Sequence, residues 1–114
     1  AMALSLKQKG TLIIDFMNTK KVIKNLVESE RKEVDGVTFN IKRSIRNNYI
    51  IKDIIFSDNG NNYQFQEKVK ALTLDDFSKL ISHAGLKIID IFGNYRLKDF
   101  NALTSERLII ICKK

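Results

Sequence analysis

The chain has no proline and no tryptophan, and only one cysteine, one histidine and five glycines in 114 residues. Each shortage removes a class of protein. Without proline there is no proline-rich linker or recognition segment. A single cysteine, Cys112, cannot close an internal disulfide, which points to a reducing, cytoplasmic setting. It lies in the apolar run Leu108–Cys112, where it is either a reactive thiol or a small buried core residue. The lone His83 has no Cys/His spacing around it, so no transition-metal site is expected. Gly10, Gly36, Gly60, Gly85 and Gly93 include no G-x-G pair, and there is no P-loop and no G-x-S-x-G elbow. No apolar run approaches the roughly 20 residues of a membrane helix, and no secretory leader pattern opens the chain.

What is present is an ordinary globular composition, 44% hydrophobic and 29% charged, in a length that suits one domain, 1–114. The net charge is +7, and its excess lies in the first half: residues 1–48 hold ten Lys/Arg against five Asp/Glu, and residues 49–114 hold ten against eight. A basic balance favours anionic partners and says nothing about fold. Ala1, ahead of Met2, is left out of the reading.

The hydrophobic pattern changes along the chain. Thr11–Met17 is a nearly continuous apolar run, as in a strand buried on both faces. Asn18 and Thr19 are capping residues for a helix over Lys20–Glu28, with Val22, Ile23, Leu26 and Val27 on one side. The segment SERKEVDG reads as a polar turn region. Three strands of period two follow, Val37–Arg46, Tyr49–Phe56 and Tyr63–Ala71, separated by Asn47-Asn48 and by Ser57–Asn62. They form an antiparallel meander within 34–71. Thr73 with Asp75 and Asp76 starts a second helix, whose buried stripe is Leu74, Phe77, Leu80, Ile81 and Ala84, and Gly85 ends it. Lys87–Phe92 and Leu108–Cys112 are the closing strands, the last one antiparallel between Thr11–Met17 and Lys87–Phe92.

The segments IIDFMN, EVDGVTFNIKRSI, KALTLDDFSKLISHAGLKIIDIFGNY and SERLIIICKK, in that order, resemble the C-terminal half of a class I S-adenosylmethionine-dependent methyltransferase. The resemblance covers nearly the whole chain and rests on order, with no single diagnostic motif. It implies an α/β fold: the last three strands of the family's sheet with the final strand antiparallel, two helices, and a three-strand meander inserted as a lid that helps choose the substrate. The family's cofactor site lies mainly in its other half, in a glycine-rich loop and an acidic residue absent here. The resemblance therefore implies no S-adenosylmethionine site in this chain alone, and activity only with a complementary N-terminal half.

By the same resemblance, Asp15 and Asn18, at the end of the first apolar strand, would border the methyl acceptor, since ligands collect beyond such strand ends. The plainer reading is that Asn18 caps a helix and Asp15 bonds locally. Tyr95 would touch the substrate or cover the closing hairpin. Arg107 would meet an anionic group of the substrate or pair with a nearby acid. His83 suits a helix C-terminus better than a general base. No catalytic residue can be named.

Lys42, Arg46, Lys68 and Lys70 are expected to share the polar face of the meander. That face is a candidate anion site or a solvated surface. A nucleic-acid groove is disfavoured because no aromatic side chain interleaves with the charges. A sheet cut short would leave Thr11–Met17 as an exposed apolar edge, through which the chain would self-associate.

Overall fold

The computed structural model describes the backbone of residues 3–7 and the complete residues 10–114. Eight strands and two helices follow in the order β1 (Ala3–Lys7), β2 (Thr11–Met17), α1 (Thr19–Lys24), β3 (Ser29–Val34), β4 (Val37–Arg46), β5 (Tyr49–Asp58), β6 (Asn61–Lys70), α2 (Leu74–His83), β7 (Lys87–Phe92) and β8 (Arg107–Lys113). They form two compact units, one of Ala1–Asn25 with Leu72–Lys114 and the other of Leu26–Ala71.

The first unit is built on a sheet of order β1-β2-β8-β7, with every neighbouring pair antiparallel. The last strand is thus inserted between β2 and β7, as expected. Its sequence explains the position: Leu108, Ile109, Ile110 and Cys112 are all buried, the last two completely. A strand enclosed on both faces needs an unbroken apolar run, and β-branched isoleucines suit its pleat. Ile110 lies between Ile14 of β2 and Ile91 of β7. Phe16 of β2 meets Phe77 of α2 edge-on, with ring centroids 5.2 Å apart, and this contact seats α2 on the Ile14/Phe16 face.

Two expectations about this unit are corrected. Thr11–Met17 is not an open edge, because β1 pairs along it from Ala3 opposite Asp15 to Lys7 opposite Thr11. So short a connection between two strands allows only antiparallel pairing. The stripe of α2 is also narrower than the sequence suggests. Phe77 and Ile81 are buried, but Leu80 is 57% exposed and Ala84 lies on the surface.

The ends of α2 follow its sequence closely. Thr73 and Asp76 form a reciprocal capping box: Asp76 N–H donates to Thr73 Oγ1 at 3.4 Å, and Thr73 N–H donates to Asp76 Oδ2 at 2.9 Å. At the other end Gly85 takes φ +79°. Leu86 N–H reaches Ile81 O and Gly85 N–H reaches Ser82 O, both at 3.0 Å. This is the left-handed termination that glycine permits.

The second unit is a sheet of order β3-β4-β5-β6. The meander therefore has four strands rather than three, because SERKEV is a strand and not a turn. Its turn is the following dipeptide alone, Asp35-Gly36, with φ +52° and +82°. Asp-Gly is the hairpin dipeptide that tolerates two positive φ angles. The added strand is held to β4 by the Arg43–Glu30 ion pair at 2.9 Å. Helix α1 is correspondingly shorter than expected, stopping at Lys24. Asn47-Asn48 and Asn59-Gly60 supply the other two hairpins, again with paired positive φ angles.

Candidate functional site

Alternation along β2 places Ile14 and Phe16 in the core under α2 and sends Asp15 to the opposite face. On the adjoining β8, Met17 is opposite Arg107 and Asp15 is opposite Ile109. Asp15 and Arg107 are therefore diagonal neighbours on one face, and Arg107 Nε donates to Asp15 Oδ1 at 2.7 Å. Tyr95 follows the end of β7, and its hydroxyl donates to the other oxygen, Asp15 Oδ2, at 2.6 Å. The Arg107 guanidinium carbon lies 5.8 Å from the Tyr95 ring centre. Three of the four residues expected at the acceptor site thus meet in one cluster beyond the end of β7 and the start of β8. Tyr95 is 70% exposed. It lines a hollow of about 350 Å³ with Asn94, Arg96 and Glu106.

The cluster is electrostatically settled. Partial burial pushes the Asp15 carboxyl upward. The hydrogen bonds from Tyr95 and Arg107, with the guanidinium charge, outweigh it and hold the group below the ordinary carboxylate value. The bond to Asp15 pushes the Tyr95 phenol above its ordinary value, and desolvation adds to this. Asp15 is thus a fixed anion rather than a base poised near neutrality, and Tyr95 is a neutral donor. Nη1 and Nη2 of Arg107 make no hydrogen bond among the described residues. The arrangement can orient a ligand; it has no group set to take a proton.

Asn18 lies outside this cluster. Its side chain makes no cap bond to α1. Instead Nδ2 donates to the carbonyls of Ser105 at 2.8 Å, Ala102 at 3.0 Å and Asn101 at 3.4 Å, and the residue is 2% exposed. It fastens the 93–106 connection to the end of β2. Gly93 closes the same loop. A Cβ there would lie 2.2 Å from Ser105 Oγ, while Gly93 N–H bonds Lys98 O and Gly93 O accepts from Arg107 N–H. Sequence gave no sign of the Gly93 contact, which depends on a residue twelve positions away. His83 is on α2, against the sheet face that Asp15 does not use. Cys112 is buried in the core, and desolvation raises its thiol pKa. Among the described residues no three His, Cys, Asp or Glu side chains are grouped as metal ligands.

On the second unit, the register places Lys42, Arg46, Lys68 and Lys70 on one face, as expected. It also corrects the absence of an aromatic there: Tyr49 is directly opposite both Arg46 and Lys70, and Lys68 Nζ sits 4.8 Å over its ring. Lys42 differs from the others, being opposite Asp53. The reverse face carries Phe39, Phe56, Tyr63 and Phe65, with Phe56 at 4.7 to 5.9 Å from the other three rings. Phe65 is 55% exposed.

No protein-family model and no curated protein matches this sequence. Solved structures do. An S-adenosylmethionine-dependent methyltransferase from Clostridium acetobutylicum aligns with 95% of the chain at a TM-score of 0.71 and 22% identity. The chain covers 46% of that protein. The CcbJ methyltransferase from Streptomyces caelestis aligns with 91% of the chain at 0.71 and 13% identity, again with 46% of its own length covered. The fold is that of part of a methyltransferase. This chain spans about half the length of the methyltransferases it matches, consistent with the C-terminal half that the sequence resembles. In this methyltransferase-like fold the inserted strand β8 and the cluster at its start are the features that position the candidate site. No helix among the described residues is long and apolar enough to cross a membrane.

Proposed function

We propose that the chain is the acceptor-side part of an S-adenosylmethionine-dependent methyltransferase. Asp15, Tyr95 and Arg107 border the methyl acceptor, and a complementary part supplies the cofactor site. The convergence of Tyr95 and Arg107 on the Asp15 carboxylate, at the sheet end where α/β folds gather ligands, is the observation that supports this reading. Asn18 serves indirectly, by holding the loop that carries Tyr95. Methyl transfer is an in-line displacement that depends on holding donor and acceptor together, which one side of a pocket does poorly. The chain alone should therefore show no micromolar heat of binding with S-adenosylmethionine in isothermal titration, and micromolar binding would overturn that division of labour. The coding sequence adjoining this one is expected to supply a strand followed by a G-x-G loop.

Self-association is a second reading, and the observation favouring it is on the second unit. Among the described residues strand β6 pairs only with β5, and Tyr63 and Phe65 are exposed along it. A long unpaired edge with exposed aromatics promotes strand-to-strand pairing between copies. Light scattering that gives a clean monomer at high concentration removes this reading.

A further inference from the structure

We propose that the polar face of the second unit binds single-stranded nucleic acid at the end of the sheet formed by Arg46, Tyr49, Lys68 and Lys70. Two adjacent cross-strand rows make the site. In one, Tyr49 lies between Arg46 and Lys70; in the other, Ile51 lies between Ser44 and Lys68. These rows hold three exposed cations and no carboxylate. The next row along the face is different: Lys42 is opposite Asp53, whose Oδ1 also accepts from Gln66 Nε2 at 2.9 Å. The charge is thus concentrated at one end of the sheet, even though the unit as a whole has a nearly balanced composition.

The kind of anion follows from the shape. Cross-strand neighbours stand about 5 Å apart, and here Arg46, Lys68 and Lys70 are exposed while Ile51, in the second row, is buried. Such an array matches successive phosphates of an extended strand. A single small anion needs donors that converge on one point, whereas these residues are spread over two rows of the sheet. Tyr49 selects among polyanions. A base stacked on its ring stabilises more than an ammonium group over an exposed ring does, so Lys68 is displaced from the ring toward a phosphate. The sequence alone argued against this partner because Tyr49 was not visible among the charges, and the register places it there. The site is independent of the methyltransferase reading, since it uses no residue of the Asp15 cluster.

The test is fluorescence anisotropy with the full chain and a labelled, mixed-sequence single-stranded oligonucleotide, titrated at salt from about 50 to about 200 mM. Binding at low salt is expected. R46Q/K68Q/K70Q should weaken it about tenfold or more and reduce the slope of log affinity against log salt by about 2. Y49L should weaken it about fivefold or more while leaving the salt slope unchanged. The control K79Q/K87Q/K98Q removes the same charge from the other unit and should leave most of the affinity. Circular dichroism confirms that each variant is folded, and Y49L alone carries the stacking claim if the triple variant is not. Absence of binding at low salt overturns the proposal. So does an equal loss with the control triple. Binding of heparin or an acidic peptide as tight as the oligonucleotide, with no effect of Y49L, would make this a general polyanion surface and also overturn it.

Discussion

Gly93 and Asn18 show how single residues hold the candidate site in place. Neither touches the Asp15 carboxylate, yet both fix the loop from which Tyr95 reaches it, and Gly93 O also accepts from Arg107 N–H. Adding one methyl group in Gly93→Ala forces Ser105 or the backbone to move, and overpacking of this kind costs about 1–3 kcal/mol. Urea denaturation should show that loss, and an unchanged midpoint would mean that the loop tolerates the shift. Asp15 has a pH signature. Its folded pKa is depressed, so its stabilising contribution is present above the unfolded carboxyl value of about 3.8 and is lost as pH falls through the lower folded value. A series of urea midpoints from about pH 5 down to about pH 2 should therefore fall less steeply for Asp15→Asn than for the parent chain. Parallel curves would show that the cluster adds no pH-linked stability.

The elements that sequence made legible were those with a strong local signal. The Thr73 box and Gly85 bounded α2 because capping chemistry is written within a few residues. Thr73→Ala should cost about 0.5–2 kcal/mol in the same denaturation assay, with no change in the oxygen contacts of the Asp15 cluster. The continuous apolar run of β8 announced a strand enclosed on both faces. Strand β3 was hidden because Ser29, Glu30, Arg31, Lys32 and Glu33 offer no apolar alternation. Its ladder with β4 comes from an Asp-Gly turn and a cross-strand ion pair, which override the weak propensity. The excess length given to α1 has the same cause: the chain it would have used is drawn toward β3. Of the candidate site, the type and position of Asp15, Tyr95 and Arg107 were readable, but their mutual bonds were not, because the residues are up to 92 positions apart.

At the scale of the whole molecule, the first unit is organised around β8 and the second around its own hairpins. Burial of Cys112 gives a direct probe of the first. Its thiol should react with a disulfide reagent only as fast as the sheet opens, and adding denaturant should release it together with the loss of circular dichroism. Full-rate labelling in the native chain would show that β8 is not enclosed. Ile110→Ala, at the centre of the same sheet, should cost about 2–5 kcal/mol and make Cys112 reactive at lower denaturant.

The central position of β8 also sets an order of events during synthesis. A ribosome adding about 5–20 residues per second makes Arg107 roughly 5 to 20 s after Met17. Throughout that interval β2 lacks the strand that separates it from β7, and α2, completed at His83, joins it only about 1 to 5 s before Arg107 is made. The second unit, whose neighbours are all sequential hairpins, can fold while this happens. Nascent chains halted before Arg107 should thus resist protease only across Leu26–Ala71, and the first unit should become resistant in one step when β8 emerges.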